Sequence, residues 1–310
     1  MRTPVYAKMA VVGCGLIGSS IVRAVREAGA AGEIAIAETS EAARERIVEL
    51  KLADVVTGDA AEAVRDADLV LFAVPVMSME AAAHAAAPGL KPGATVTDVG
   101  SVKGQVAEAL TAACPDSVFV IPGHPIAGTE QSGPDAGFAE LFQNRWTILT
   151  PDARDDVPYR EAVARLADFW TAIGARVEEM DVRHHDLVLA ITSHLPHLIA
   201  YNIVGTAADL EGVTESEVMK YSAGGFRDFT RIAASDPTMW RDVFLSNKDA
   251  VLEVLGRFTE DLQALSRAIR WGEGDKLFEL FSRTREIRRG IVAMGQESAE
   301  PNFGRDRGKH

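Results

Sequence analysis

A histidine fixed between glycine and proline, Gly123-His124-Pro125, is the side chain of this sequence best suited to proton transfer. It follows an apolar run at 118–122 that predicts a β-strand. Ligands of open α/β sheets gather beyond the carboxyl ends of the strands, and histidine changes its charge near neutral pH. We therefore expect His124 to exchange a proton with a bound molecule.

A second strand end, in the sequence Asp-Val-Gly-Ser-Val-Lys at 98–103, should meet His124 at the same edge of the sheet. A hydroxyl bonded to one imidazole nitrogen would fix the tautomer and leave the other nitrogen for a substrate. Ser101 is therefore the expected partner of His124. Ser101 is also suited to be the N-cap of the helix that follows, and Lys103 is compatible with a solvated surface.

The segment Ser-His-Leu-Pro-His at 193–197 places two histidines on one face of a helix. Pro196 should bend this helix, because proline removes a backbone donor. No carboxylate–histidine set nearby completes a metal site, so we expect no metal here. His197 is the better candidate to hydrogen-bond a polar ligand, whereas His194 is equally compatible with a satisfied core histidine.

An arginine in a glycine-containing segment, Gly-Gly-Phe-Arg-Asp-Phe-Thr-Arg at 224–231, is suited to bind an anion. The guanidinium of Arg231 matches a carboxylate through paired N–H donors, and Asp228 could hold that side chain in place. An apolar Ile-Ala-Ala run follows Arg231, which argues against a fully solvated role. We expect Arg231 to bind a substrate carboxylate; a structural ion pair is the alternative.

The glycine pattern Gly-Cys-Gly-Leu-Ile-Gly at 13–18 lies between a predicted strand and a predicted helix, which is the context of a dinucleotide-binding turn. Glu38 ends the second predicted strand and would accept hydrogen bonds from a ribose 2′-hydroxyl. NAD is therefore favoured over NADP, although Arg44 keeps NADP open. The residues expected to contact the nucleotide are Gly13, Gly15, Leu16, Ile17, Gly18, Glu38, Val74 and Pro75.

The 310-residue chain carries a formal net charge of −13 and is 47% hydrophobic and 25% charged. This composition is ordinary for a soluble globular protein, and the charge argues against a nucleic-acid or anionic-membrane surface. Cys14 and Cys114 suggest no disulfide framework, and we see no signal peptide, so we expect a reduced, cytoplasmic location. No apolar run reaches the ~18 residues that would span a membrane.

Strand and helix signals alternate through the first half, with strands expected at 8–12, 33–37, 69–74, 94–98, 118–121 and 146–149. Repeated βα units indicate an α/β fold with a doubly wound, mostly parallel sheet. The strand signal stops near residue 180. We therefore expect a dinucleotide-binding domain over 1–180, an all-α domain over 181–293 and a disordered polar tail over 294–310.

A helix of about 35 residues, or ~50 Å, is predicted from Ser235 as N-cap, with Pro237 in its first turn. An apolar stripe follows this helix: Phe244, Val251, Val254, Phe258, Leu262, Leu265 and Ile269. One small helical domain cannot bury so long a stripe, so we expect part of it to pack against a second subunit. A long bundle helix within one chain is the alternative.

Taken in order, the motifs GCGLIG, DVGSVK, GHPIAGTE, SHLPH and GGFRDFTRIAASDPTMW resemble the prephenate/arogenate (cyclohexadienyl) dehydrogenases of tyrosine biosynthesis. The resemblance covers about residues 8–290 and implies a Rossmann-type domain followed by an all-helical dimerisation domain. It also implies that His124 is the catalytic base with Ser101 bonded to it. The residues that would contact, gate or support the substrate are Glu130, His197, Arg231 and Asp228.

The implied reaction is an oxidative decarboxylation of a small anionic substrate. His124 would take the ring-hydroxyl proton, hydride would pass to NAD, and carbon dioxide would leave as the ring becomes aromatic. The choice between prephenate and arogenate stays open. We expect neither the fused chorismate mutase nor the regulatory domain of some relatives, because the chain starts at the nucleotide strand and has only a short tail.

Two other functions fit parts of the sequence. A β-hydroxyacid or 6-phosphogluconate-type dehydrogenase also joins a Rossmann domain to helices, but Lys220 and Lys248 do not lie in the setting of its catalytic lysine. A non-catalytic nucleotide-sensing protein would keep the glycine turn without needing His124, Ser101 and Arg231 together.

Overall fold

The computed structural model describes residues 3–129, 131–211 and 224–293. These residues form two compact units, one ending at Leu252 and the other starting at Glu253. The expected tail and Glu130 lie outside the described residues. The strands that the structure describes all precede residue 180, and the domain boundary expected there remains a prediction.

A six-stranded parallel sheet lies at the centre of the first unit, in the order β3-β2-β1-β4-β5-β6. Its strands are β1 Tyr6–Val12, β2 Ala31–Ala37, β3 Val55–Thr57, β4 Leu69–Phe72, β5 Thr95–Asp98 and β6 Phe119–Val120. The order reverses between β1 and β4, which is where doubly wound sheets bind dinucleotides. The predicted α/β class is confirmed; the short β3 was missed because three residues carry no readable alternation.

Helices cover both faces of this sheet, because alternate side chains of each strand point to opposite sides. Val11, Ile36 and Leu71 face one apolar core, and the next residue of each strand faces the other. The first core is closed by α1 Leu16–Ala28 and α6 Val157–Ala172, and α2 Glu41–Glu49 lies nearby. The second is closed by α3 Ala60–Ala63, α4 Met79–Ala86 and α5 Gly104–Ala113.

A second sheet of three strands holds the histidine singled out above. Its strands are β7 Gly123–Pro125, β8 Trp146–Leu149 and β9 Arg176–Glu179. His124 pairs with Ile148 in the antiparallel β7–β8 ladder, whereas β8 and β9 run parallel. The expectation that 146–149 joins the large parallel sheet was therefore wrong, and β9 was missed. Strands of three or four residues are set by their neighbours rather than by their own sequence pattern.

The helical region begins with a long apolar helix. It comprises α7 Val182–Leu189, a π turn Ala190–His194 and α8 Leu195–Glu211. In the π turn the Leu195 N–H bonds to the Ala190 carbonyl. This wider turn lets the helix continue past Pro196, whose ring would otherwise clash with the carbonyl four residues earlier.

The region 224–293 contains further helices: α9 Gly224–Thr230, α10 Pro237–Ser246, α11 Lys248–Arg270 and α12 Gly274–Ala293. The single helix predicted from Ser235 is thus two helices separated at Asn247. Its N-cap is Asp236, whose carboxylate accepts from the Met239 N–H at 2.8 Å, rather than Ser235. Asn247 breaks the helix because its side-chain amide donates to the Asp186 carbonyl and to Nδ1 of His194, both elsewhere in the first unit.

One helix among the described residues, Val182–Leu210, is long and apolar enough to cross a membrane by length and composition alone, with a mean hydropathy of 1.5. This differs from the expectation that no such run exists. The helix runs through His194, Pro196 and His197, so that its apolar residues on both sides of these three positions form one segment. Helices that pack inside globular proteins meet the same criterion.

The second unit comprises the remainder of α11 and all of α12 up to residue 293. Large apolar side chains are exposed on it: Leu262, Ile269, Trp271, Phe278, Phe281 and Ile287. Trp271 and Phe278 each expose 73% of their surface. Several large apolar side chains exposed on the same two helices are typical of a surface that another protein covers.

Candidate active site

The glycine turn after β1 leaves room only for backbone at two of its positions. Gly13 has φ +89°, and a Cβ there would lie 2.7 Å from the Val74 side chain. A Cβ on Gly18 would lie 2.5 Å from the Gly13 carbonyl oxygen. A Cβ on Gly15 would meet nothing within 4 Å, so this residue faces open space. The turn therefore packs tightly against the residues that follow β4 and keeps one open side for a ligand.

The N-terminus of α1 is available to an anion on that open side. Gly15 is its N-cap and no side chain caps it, so the N–H groups of Leu16 and Ile17 are directed out of the helix. Unpaired N–H groups and the positive end of the helix dipole bind phosphate. The residues present therefore fit a dinucleotide pyrophosphate.

Glu38 closes the other side of this candidate nucleotide site. One of its carboxylate oxygens accepts from the Cys14 N–H at 3.1 Å, and the other accepts from the Ser40 N–H at 3.0 Å. Burial, with Glu38 nearby, raises the pKa of the Cys14 thiol to about 12, so this cysteine is a neutral packing group. Arg44 donates to the carbonyls of Glu38 and Thr39, both at 2.8 Å.

Val74 and Pro75 follow β4 on the other side of the glycine turn. Val74 is half-buried against Gly13, and Pro75 is exposed. Both lie at the reversal point of the sheet, and their contact with the nucleotide remains a prediction.

His124 lies on β7 with its ring almost fully buried, at 8% exposure. Its Nδ1 is 2.9 Å from Nε2 of His185, and the two rings meet edge to face. Within the described residues Nε2 of His124 has no hydrogen-bond partner, which leaves this nitrogen for a ligand. The sequence missed His185 as a partner.

The hydrogen bond expected between Ser101 and His124 is absent from the described residues. Ser101 is half-buried at the same sheet edge, and it does not cap α5 either. The two roles expected of Ser101 are filled by other residues. His185 binds the His124 imidazole, and Asp186 accepts from the N–H groups at the start of α5. Both come from α7, a helix remote in sequence, which is why the local pattern pointed to Ser101.

Asp186 binds the N-terminus of α5 across more than eighty residues of sequence. Its carboxylate accepts from the backbone N–H groups of Lys103 and Gly104, both at 2.8 Å, and contacts Nδ1 of His185 at 2.9 Å. Burial alone would raise the pKa of Asp186, but these three hydrogen bonds outweigh it and hold the pKa below its ordinary value. Asp186 is therefore ionised at neutral pH.

Lys103 is fully buried, contrary to the expectation of a solvated surface. Its ammonium pairs with the buried carboxylate of Asp98 and donates to the Gly123 carbonyl at 2.6 Å. Asp98 in turn accepts from the Gly123 N–H at 3.1 Å and the Gly100 N–H at 2.7 Å. The pair thus holds both polar groups of the residue that precedes His124. Burial lowers the pKa of Lys103, and Asp98 opposes that shift.

His194 is a buried histidine rather than an exposed ligand group. Its Nδ1 is 3.1 Å from the Asn247 amide nitrogen, which also donates to the Asp186 carbonyl at 2.8 Å. Because an amide N–H₂ only donates, Nδ1 of His194 accepts and the proton lies on Nε2. Within the described residues this Nε2 has no partner, so the satisfied-core alternative holds for only one of the two nitrogens.

His197 stacks on Trp240, with ring centroids 3.6 Å apart, and its Nδ1 donates to the Ser193 carbonyl at 2.8 Å. Its Nε2 therefore carries a lone pair when the ring is neutral. Burial chiefly lowers the pKa of His197, and the charge of Arg231 lowers it further. The helix that carries His197 contacts the 3₁₀ turn that carries Arg231, and a substrate site shared by the two residues remains a prediction.

Arg231 is exposed, on a 3₁₀ turn at 231–234. The ion pairs found within the described ranges include none between Arg231 and Asp228, and Asp228 is also exposed. The expected support of Arg231 by Asp228 is therefore absent. Glu130, the remaining predicted substrate residue, lies outside the described residues.

Burial keeps the histidines of this site neutral. It is the largest cause of a lowered pKa in each of them: His124, His185, His194 and His197. The pKa of His124 lies well below 6.5, with the charges of His185, Lys103 and His194 adding to burial. The pKa of His194 falls to about 4. A neutral imidazole is the form that accepts a proton.

In the part of the chain that the structure describes, no three potential metal ligands cluster.

Two family models match this chain. The model described as the prephenate dehydrogenase nucleotide-binding domain matches residues 21–179, and the model for the prephenate dehydrogenase dimerization domain matches 181–283. A cyclohexadienyl dehydrogenase from Zymomonas mobilis is 46% identical over 92% of this chain and 96% of its own length.

Solved structures of prephenate and arogenate dehydrogenases are also similar to this chain over most of its length. A prephenate dehydrogenase from A. aeolicus, in complex with hydroxyphenyl propionate and NAD+, superposes with a TM-score of 0.85 at 32% identity, covering 94% of this chain and 99% of its own. A Synechocystis arogenate dehydrogenase gives 0.78 at 27% identity, covering 92% and 99%.

The buried pair Lys103–Asp98 generates a prediction about stability. Lys103→Met should lower the free energy of unfolding by about 3 kcal/mol, because removing one partner leaves the other charge buried and unpaired. Urea unfolding measures this. The control is Arg160→Met, which breaks the exposed Arg160–Glu179 pair and should cost about 1 kcal/mol or less. Equal losses in the two variants would contradict the role given to the buried pair.

Proposed function

Because this chain belongs to the prephenate dehydrogenase family, we propose that it oxidises and decarboxylates prephenate, arogenate or both, with NAD as cofactor. The observation that carries the mechanism is the environment of His124. Its ring is buried and neutral, one nitrogen is engaged by His185, and Nε2 remains for a substrate.

The candidate nucleotide site fits NAD. The pyrophosphate would lie on the N-terminus of α1 beside Gly15, and the Glu38 carboxylate would accept from the ribose 2′-hydroxyl. A 2′-phosphate would be repelled by Glu38, and Arg44, which could attract it, donates to two backbone carbonyls instead. These contacts support NAD over NADP. When bound, NAD supplies the hydride acceptor.

In the proposed reaction the residues of the chain bind, orient and take up one proton. Nε2 of His124 accepts the proton of the ring hydroxyl while the ring carbon loses hydride. The ring ketone so formed draws electrons from the departing carboxylate, carbon dioxide leaves and the ring becomes aromatic. The resulting phenolate oxygen then takes back the proton held on Nε2 of His124. Since aromatisation drives the reaction, the protein need supply mainly orientation and a base.

Arg231 supplies the positive charge for a substrate carboxylate. It is exposed, and within the described residues no acidic side chain pairs with it. His197 is unsuited to bind a carboxylate while neutral, because its Nε2 carries a lone pair. Ser101 is half-buried at the same sheet edge and would donate to the substrate hydroxyl instead of bonding to His124. Glu130 and Asp228 stay as proposed substrate-binding residues.

The family's dimerization domain and the exposed apolar side chains of 253–293 support a homodimer joined through its C-terminal helices. The proposed location is the cytoplasm. A solution mass equal to one 33.2 kDa chain would contradict the dimer.

The competing dehydrogenase class has less support. Its likeness to this chain, with a TM-score of 0.52 at 14% identity to a 3-hydroxyisobutyrate dehydrogenase, shows the fold alone. Of the two lysines considered for that chemistry, Lys248 is exposed at the start of α11 and Lys220 lies outside the described residues.

The proposed function predicts which substrates form NADH. The purified protein is assayed with prephenate, arogenate, 3-hydroxyisobutyrate and 6-phosphogluconate, each with NAD and with NADP. We expect turnover with at least one of the first two, faster with NAD, and none with the acyclic hydroxy acids. Turnover of an acyclic acid alone, or of nothing, would overturn the proposal.

His124→Ala should lower kcat by ~10²–10⁴, the usual cost of losing a positioned base, with little change in the Kd for NAD. Because the pKa of His124 lies well below 6.5, kcat of the unmodified enzyme should stay level at neutral pH and fall only on acidification. Steady-state kinetics and NAD titration measure both. His84→Ala, on the exposed face of α4, is the control; a His124→Ala enzyme as active as this control would remove His124 from the mechanism.

Arg231→Ala should raise KM by about 10- to 100-fold, since a hydrogen-bonded charge is lost from a carboxylate. Arg231→Lys should fall between, because an ammonium cannot form the paired contact. Arg227→Ala, an exposed arginine of α9, should leave KM unchanged. If KM responds equally to the Arg227 and Arg231 changes, or to neither, Arg231 does not bind the carboxylate.

A further inference from the structure

We propose that His185 and Asp186 are positioning residues of this reaction: Asp186 fixes the proton of His185, and His185 fixes the proton of His124, so that Nε2 of His124 meets the substrate as a base. The inference rests on the proposed function, in which His124 takes the hydroxyl proton. It assigns two roles that the motifs around His124 do not indicate.

The first step is the charge of the Asp186 carboxylate. Asp186 lies at the N-terminus of α5, where two backbone N–H groups donate to it at 2.8 Å. A helix N-terminus favours negative charge. Asp186 is therefore a fixed anion that accepts only, and the ring nitrogen 2.9 Å away, Nδ1 of His185, must carry a proton.

The second step is the tautomer of His185. This ring is buried, and in its neutral form only one nitrogen is protonated. With the proton on Nδ1, Nε2 of His185 presents a lone pair. The atom facing it at 2.9 Å, Nδ1 of His124, must then be the donor.

The third step is the consequence for His124. A neutral ring with its proton on Nδ1 carries its lone pair on Nε2, the nitrogen without a partner in the described residues. The opposite tautomer would direct an N–H at a hydroxyl whose proton must leave. The position of one proton, on Nδ1 of His185 facing Asp186, therefore decides whether His124 acts as a base toward the substrate.

The hydrogen-bonded series Asp186–His185–His124, which we call the relay, also offsets the positive charge that forms on His124. When Nε2 takes the hydroxyl proton, the Nδ1–H of the charged His124 ring stays bonded to Nε2 of His185, and the Asp186 carboxylate lies on the other side of that ring. The other titratable groups near these rings are Lys103, Asp98 and His194. Lys103 opposes positive charge here and is itself paired with Asp98. Asp186 is thus the anion available to the relay.

Two amide substitutions at His185 separate positioning from packing. The amide of a glutamine side chain reaches about as far as Nε2 of the imidazole and can still accept from His124, whereas that of asparagine reaches only as far as Nδ1. We expect His185→Gln to keep kcat within about 10-fold and His185→Asn to lose about 100-fold or more, with KM and the Kd for NAD little changed in both. Equal kcat in the two variants, or a better Asn variant, would overturn the proposal.

The neighbouring residue provides the matched control. His184 is exposed on the same turn of α7, so His184→Gln and His184→Asn should both retain the original kcat. Thermal unfolding and NAD binding establish that each His185 variant is folded.

A second measurement needs no substitution and no substrate. Nitrogen-15 NMR of the full-length protein labelled in histidine reports which ring nitrogen carries the proton. We expect His124 and His185 both to be protonated on Nδ1. A proton on Nε2 of His124 in the resting protein would overturn the relay, whatever the His185 variants do.

The two proposals fail differently. If the protein does not oxidise prephenate or arogenate, the proposed function fails while the tautomers remain measurable. If the enzyme is active and the His185→Asn variant turns over as fast as the original, the relay fails and the proposed function stands.

Discussion

The contact between the Asp186 carboxylate and the N-terminus of α5 is the interaction on which the site depends. It joins a helix that follows the sheets to the helix that follows β5, and it directs a hydrogen-bonded chain through His185 to His124. A carboxylate is stable in this buried place because backbone N–H groups and the helix dipole compensate its charge. Without that anion the buried imidazoles would have no preferred proton arrangement.

The second constraint is the support beneath His124. Asp98 and Lys103 bind the N–H and carbonyl of Gly123, so the backbone that carries the imidazole is fixed from the end of β5. The glycine turn after β1 is fixed in a different way, by close backbone packing against the residues that follow β4. The candidate nucleotide site is therefore held by main-chain packing. The surroundings of His124 are held by buried charges that are paired with each other or hydrogen-bonded to the backbone.

This division explains how much the sequence could predict. The glycine turn, Glu38 and the α/β class depend on local patterns, and His124 is conspicuous between glycine and proline. The partners of His124 could not be found this way, because His185 is 61 residues away along the chain. The consecutive pair His184-His185 followed by Asp186 was the available signal. Lys103 resembled a solvated residue of a first helical turn, because its burial depends on Asp98 and Gly123. The break at Asn247 likewise depends on tertiary contacts, which override helical periodicity.

The central claim is that Nε2 of His124 meets the substrate hydroxyl while His185 holds Nδ1. A crystal structure of the protein with NAD and an unreactive cyclohexadienol carboxylate tests it most directly. The account predicts Nε2 of His124 at about 2.6–3.2 Å from the hydroxyl oxygen, with His185 still bonded to Nδ1. A hydroxyl bound by another side chain, with the His124 ring turned from the ligand, would contradict it.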